Sequence, residues 1–285
     1  MRSKLFVPGA RPELFAKALA GEADALSFDL EDSVVEARKA EARETVARFV
    51  ASDDVTHADK LIIVRTNAPD SAHFAEDITA VALPNVTLIN LPKIESPEAL
   101  LRAIAMIENA EHANGVKQPI GLLVNIETPL ALAHAAQIAG AHPRVAGLQL
   151  GLGDLFEPHG IDRTDARHVH ASMFALRMAA AQANVFAMDG AFATLDNDEG
   201  YAVEARMARG LGFVGKSCIH PRQVSLANAV FAATDDELEA ARRIVDAANA
   251  PGRSSNGAFV VDGKMIDLPF LKRAQVLLAA SRKSN

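Results

Sequence analysis

Seven charged side chains stand where short apolar runs end. Glu31 and Asp32 follow the run at 25–30, Arg65 follows 61–64, and Lys93 follows 86–91. Glu127 closes 120–126, Asp154 comes just after 145–150 and Gly151-Leu-Gly153, and Asp189 follows 185–188. Together they make an acidic ring holding one arginine and one lysine. Two carboxylates without Cys or His beside them suit a hard cation such as Mg²⁺, which takes few protein oxygens and keeps positions for water and substrate. Arg65, a fixed planar cation, would hold a carboxylate or stabilise an enolate oxygen.

Each of these residues also has a plainer role open to it. Asp154 reads equally well as a cap of the following helix. Glu127 does not, because Thr128 already supplies the cap before Pro129. Arg65 could serve only as an ion-pair partner of Glu31 or Asp32, and Asp189 could order the loop at Gly190. His220 reads as a packing or loop-anchoring group. His168 and His170, two apart on a helix, face different sides and make poor joint ligands. Cys218 has no activating partner in the pattern and reads as a small buried residue.

The elements that must bring the ring together alternate in one sense along the chain. The two runs at 120–126 and 145–150 are strand-length, bounded by Gly or Pro, and separated by an Ala/Leu-rich helical pattern. That is how parallel βα units read, and successive parallel strands bring their C-terminal ends to one rim. Glu127 and Asp154 are therefore expected to face a common site. Strand-like runs at 4–7, 25–30, 61–64, 86–91, 185–188 and 213–219 extend the alternation to eight units, with helices between them. Ser71 and Ser96 are candidate N-caps, the latter followed by Pro97-Glu98. The expected fold is an α/β (β/α)8 TIM barrel over residues 1–250, with a doubly wound sheet as the runner-up. Residues 251–285 are expected to form an arm: a linker at 251–257, a hairpin turning at Asp262-Gly263, and a helix over about 269–280. So small an arm cannot fold alone, and is expected to pack on its own barrel or on a neighbouring subunit.

Composition narrows the partners. At 285 residues and 49% hydrophobic, the chain can bury a large core. A net charge of -7 without a basic cluster argues against nucleic acid, as do the absence of Trp and the single Tyr. No run has the length of a membrane helix, the first residues do not read as a signal peptide, and one cysteine fits a reducing cytoplasm.

Several motifs, in order from Arg2 to about residue 280, resemble those of the citrate lyase β-subunit-like proteins. They are Arg2-Ser-Lys-Leu-Phe-Val-Pro-Gly9, Phe28-Asp-Leu-Glu-Asp-Ser-Val34, Val64-Arg-Thr-Asn67, Leu91-Pro-Lys93, Ile126-Glu-Thr128, Gly215-Lys-Ser-Cys-Ile-His-Pro-Arg-Gln223 and Gly263-Lys-Met-Ile-Asp267. These proteins lie in the HpcH/HpaI aldolase superfamily, beside the malyl-CoA and citramalyl-CoA lyases. The resemblance implies a Mg²⁺-dependent barrel that cleaves or forms a carbon–carbon bond next to a thioester, giving a 2-oxoacid and an acyl-CoA. It implies Glu127 and Asp154 as metal ligands and Arg65 as the contact to the 2-oxoacid or developing enolate. Glu31 and Asp32 would bind the metal's waters, with Lys93 beside them toward substrate. Asp267, which spacing alone would make an N-cap, would reach an adjacent subunit's site and handle the proton. That arrangement implies a homo-oligomer, a trimer or hexamer.

The chain departs from the pattern at Leu152-Gly153, where many relatives carry Ala-Glu. The loss of that glutamate removes a charge beside the metal and enlarges the pocket. No basic cluster fixes a CoA site, and Arg11 and Lys17, after the first strand, are candidate contacts for its phosphates. Other readings remain: a citrate lyase β subunit acting on an acyl-carrier thioester, a CoA-independent 2-oxoacid aldolase, or a barrel serving only as a scaffold subunit.

Overall fold

The structure, a computed structural model, describes residues 1–250 and 257–281. Eight parallel strands pair in chain order and close on themselves. They are β1 (Ser3–Pro8), β2 (Ala25–Asp29), β3 (Leu61–Arg65), β4 (Leu88–Leu91), β5 (Gly121–Ile126), β6 (Val145–Leu150), β7 (Phe186–Asp189) and β8 (Gly215–Cys218). Closure is made where Ser3, Lys4 and Leu5 pair with Lys216, Ser217 and Cys218. The expected (β/α)8 barrel is the fold, and the doubly wound alternative is excluded by this closure.

Strand side chains alternate, and the two faces bury different things. The outward face carries Leu26, Phe28, Ile62, Val64, Ile89, Leu91, Leu122, Val124 and Leu148. These join the helices in one large apolar cluster. The inward face has a small apolar floor of Ala25, Ile63, Leu88, Leu123 and Met188. Above it, two residues further along β2, β4 and β5, the interior turns polar with Ser27, Asn90 and Asn125, joined by Gln149 of β6, all buried. Asp29, Arg65 and Glu127 follow at the strand ends.

Two expected caps form, and one does not. Ser96 and Thr128 accept from the backbone N–H of Ala99 and Ala131, each followed by a helix-opening proline. Ser71 does not cap: the next helix, Phe74–Val81, begins after His73, which lies in helical conformation and gives no side-chain cap.

The chain divides into two compact units, Met1–Phe231 and Ala232–Asn285. The helix Asp235–Asn249, expected to belong with the barrel, therefore groups with the C-terminal elements, and the helices Asp235–Asn249 and Leu268–Ser281 pack on each other. Between these helices β9 (Phe259–Val261) and β10 (Lys264–Ile266) form the expected hairpin. Its turn has Asp262 and Gly263 at φ 51° and 75°, the paired positive values that a two-residue turn matching strand twist requires. Most of the linker expected at 251–257 falls outside the described residues.

Candidate active site

Arg65 ends β3 and is nearly enclosed by carboxylates. Its Nε and Nη2 donate to Asp29 at 2.7 and 2.9 Å, a bidentate pair between neighbouring strand ends. Its Nη1 lies 2.9 Å from Glu31 and donates to Asp32 at 3.1 Å. Burial alone would raise the Asp29 carboxyl, but the guanidinium outweighs it and holds Asp29 below the usual carboxylate range. The backbone N–H groups of Glu31 and Ser33 also donate to Asp29, locking its plane. Asp29 therefore aims Arg65, and the ion-pair role open to Arg65 in the sequence is filled by three acids at once.

Glu31 is buried, and its pKa is raised by that burial although Arg65 and Lys93 oppose it. Lys93 Nζ lies 3.1 Å from Glu31. The Lys93 backbone has φ 54°, a left-handed value unusual outside glycine. That conformation directs its N–H to Glu127 Oε1 at 2.8 Å. Strain of this kind persists where the surroundings over-determine it, commonly at functional sites.

Glu127 follows β5 with 4% of its surface exposed. Its Oε2 accepts from Asn125 at 3.1 Å. Burial first, then the charge of Glu31, pushes its pKa up to about 7, with Asp154 adding to the effect. Asp154 is exposed, in the first turn of the helix Leu152–Phe156, whose cap position is Gly151. It is thus not the capping residue that its position also allowed. Gly151 has no freedom to be anything larger: a Cβ there would stand 2.5 Å from the Glu127 Cβ.

Around this rim five carboxylates (Asp29, Glu31, Asp32, Glu127 and Asp154) meet two cationic side chains. The donors are all hard oxygens, and the surplus is negative. Among the described residues no three His, Cys, Asp or Glu side chains converge as a complete ligand set. Two carboxylates with room for water and substrate oxygens are what Mg²⁺ takes, so the residues present fit a hard divalent cation.

Asp189 does not join the ring. Next to inward-facing Met188 on β7, it points outward and is buried against Lys216 of β8 at 2.6 Å. Lys216 also pairs with Glu204 at 2.6 Å, and Arg163 with Glu204 at 3.0 Å. Asp189 does order the loop, accepting from Gly190 N–H at 2.7 Å. Cys218 is buried against the Tyr201 hydroxyl at 3.2 Å, and His220 accepts from the backbone of Arg222, anchoring its loop as expected.

Arg11 and Lys17 are exposed just beyond the end of β1, Arg11 paired with Glu13 at 2.9 Å. Asp267 lies on the C-terminal unit, directly before the helix Leu268–Ser281, with its Oδ1 buried and, among the described residues, without a hydrogen-bond partner.

Comparison with known proteins agrees with this geometry. Residues 2–221 match the model of the family described as HpcH/HpaI aldolase/citrate lyase. The chain belongs to this family. Among its relatives, the citrate lyase subunit beta of Escherichia coli K12 is 36% identical, over 99% of this chain and 94% of that protein. An L-malyl-CoA/beta-methylmalyl-CoA lyase of Cereibacter sphaeroides is 32% identical, over 97% and 93%. A crystal structure of CitE from Mycobacterium tuberculosis, in complex with magnesium, acetoacetate and coenzyme A, superposes with a TM-score of 0.74. It is 32% identical, and the match covers 99% of this chain and all of that one.

Sequence reasoning about the rim of this family member overlooked Asp29, Asn125 and the polar interior. The signal was present. These are polar residues on alternate positions of otherwise apolar strands, where a buried polar group needs a partner.

Proposed function

We propose that the chain is a Mg²⁺-dependent carbon–carbon lyase of the cytoplasm. It would split a 2-hydroxyacyl thioester of the malyl-CoA or citramalyl-CoA type into a 2-oxoacid and an acyl-CoA, or run the reverse condensation. The observation that carries this reading is an Arg65 held by two bonds to Asp29 at the same rim as Glu127, a buried carboxyl raised by burial and by the charges of Glu31 and Asp154. Glu127 and Asp154 would hold the cation, with Glu31 and Asp32 accepting from its waters and Lys93 set toward substrate. When bound, Mg²⁺ supplies a Lewis acid that lowers the pKa of the substrate's 2-hydroxyl and steadies charge on its oxygens.

The chain's own residues do the rest. Arg65, held by Asp29, faces the 2-oxoacid carboxylate or the developing enolate oxygen with a fixed planar charge. Asp267, reaching from the C-terminal unit of a neighbouring copy, takes the hydroxyl proton. The electrons of the O–H bond form the new carbonyl, the carbon–carbon bond breaks, and the thioester enolate takes up a proton. Arg11 and Lys17 are candidate contacts for the CoA phosphates. Gly153 has open space around the position of a Cβ, so a substrate with a larger group beside the metal fits.

Isothermal titration of oxaloacetate, pyruvate and glyoxylate, with and without Mg²⁺, tests the site in wild type and Glu127→Ala. Binding is expected to require both the metal and Glu127, and the preferred ligand names the 2-oxoacid half. Binding indifferent to Mg²⁺, or none at all, sinks the assignment. The likeness to a citrate lyase subunit beta favours a second reading, a thioester on an acyl-carrier protein. Turnover of free malyl-CoA or citramalyl-CoA by the isolated chain would decide against it.

A further inference from the structure

Beneath the rim the barrel interior holds a lysine that this reaction does not use. Lys4, on β1, is completely buried and lies over the Phe6 ring at 3.9 Å from its centroid. Burial, and then the charge of Arg65 above it, push its pKa well below the ordinary lysine value. Among the described residues its hydrogen-bond partners are amide oxygens and not carboxylates. Its Nζ donates to Gln149 Oε1 of β6 in a short bond, and to Asn90 Oδ1 of β4 at 3.5 Å. An apolar side chain of the same length would fill this space without the cost of burying an amine.

The contacts of Asn90 show where the amine leads. Asn90 Nδ2 donates to the Leu123 carbonyl at 2.9 Å and to Asn125 Oδ1 at 2.8 Å. Asn125 Nδ2 in turn donates to Glu127 Oε2 at 3.1 Å. The chain of bonds begins at the donor Lys4 and ends at Glu127, which accepts from Asn125 and, ionised as a metal ligand must be, can only accept. Each amide between them must therefore turn its oxygen toward Lys4 and its nitrogen toward Glu127. All three links are buried, where a reversed amide would set two oxygens against each other without water to relieve them.

We propose that Lys4 is a positioning residue for Glu127. Through Asn90 and Asn125 it holds the carboxylate in the orientation in which it binds the metal. Without the amine, the Asn90 and Gln149 oxygens lose a donor in the barrel interior. Rotation of Asn90 to find another would withdraw its N–H from Asn125, leaving the Asn125 amide, and with it Glu127, without a fixed orientation. This inference rests on the reading of Glu127 as a Mg²⁺ ligand.

Calorimetric titration of Mg²⁺ into the full chain separates the two claims. Lys4→Met keeps the shape of the stem and removes the donor. Asn90→Leu breaks the relay one link on, leaves Lys4 its bond to Gln149, and serves if Lys4→Met does not fold. Groups that hold a metal ligand typically matter 10- to 100-fold to metal affinity. One link further away, each variant is expected to weaken the Mg²⁺ Kd by roughly 3- to 10-fold. The double variant should be no weaker than Asn90→Leu alone, because both cut the same chain. A lysine that merely packs would alter thermal stability and leave the Mg²⁺ Kd where it was. Wild-type affinity in a folded Lys4→Met, or in Asn90→Leu, beside lost affinity in Glu127→Ala, overturns the role of Lys4 and leaves the metal site standing. Wild type that binds no Mg²⁺, or Glu127→Ala that binds it as well as wild type, overturns the reading of Glu127, and this inference falls with it.

Discussion

At the scale of single residues, Glu127 is the most exposed to test, because its carboxyl is raised from its ordinary 4.5 to about 7 by burial and by neighbouring acids. Under the proposed role of Glu127 as a ligand, a metal must displace that proton. Mg²⁺ affinity is therefore expected to climb by about tenfold per pH unit below 7 and to level off above it. Calorimetry in two buffers of different ionisation heat should find close to one proton released per Mg²⁺ at pH 6 and little at pH 8. The sign for the metal-free fold runs the other way. Between 4.5 and 7 the folded state holds more protons at this group than the unfolded chain, so this group's contribution to stability falls as pH rises. Arg65 gives a second prediction at this scale. Lysine cannot reproduce the two parallel bonds to Asp29, so Arg65→Lys should lower kcat by about 10² to 10³ and move the melting temperature little. A kcat close to wild type would show that a point charge suffices there.

At the scale of elements, the site depends on how strands end. The positive φ of Lys93 turns one backbone N–H onto Glu127, and Gly151 lets the chain leave β6 against the same side chain. Gly151→Ala would place a Cβ 2.5 Å from the Glu127 Cβ, which must shift. The expected cost is about 1–3 kcal/mol of stability, with Mg²⁺ affinity reduced by at least roughly tenfold. Denaturant unfolding and Mg²⁺ titration of the one variant check both. An unchanged Kd would mean that Glu127 does not need its present position. Asp189 teaches the converse lesson. It ends its strand as Arg65 does, yet the pleat turns it outward, where Lys216 and Glu204 enclose it.

At the scale of the whole molecule, the chain forms a barrel and a smaller C-terminal unit. That unit exposes Val260, Met265, Leu268 and Val276, and it carries Asp267. A compact unit of this size, rich in exposed apolar side chains, suits contact with another copy. If Asp267 serves a neighbour's rim, Glu127→Ala and Asp267→Ala chains, each inactive alone, should regain activity when unfolded together and refolded as a mixture. Each mixed pair then offers one rim with Glu127 intact and a functional Asp267. A mixture as inactive as its components would place Asp267 at the site of its own chain, or away from the reaction.

Much of this was legible in the sequence because it rests on short-range rules. Eight apolar runs in one alternation specify the barrel, since strand and helix periodicities and their bounding Gly and Pro residues are local. The charged residues at the run ends marked the rim, and the Asp262-Gly263 turn marked the hairpin. Local rules also misled, at Ser71, which does not cap, and at residue 250, taken as the end of the barrel domain although the compact unit stops at Phe231. The tertiary structure decided what depends on the pleat and on barrel closure. These turn Asp189 outward and Asp29 inward onto Arg65, and bring Lys4, Asn90, Asn125 and Gln149 from four strands into one buried network. Residues up to 145 positions apart meet there. No local pattern encodes such a meeting, because the hydrogen bonds that justify burying those groups exist only once the sheet has closed.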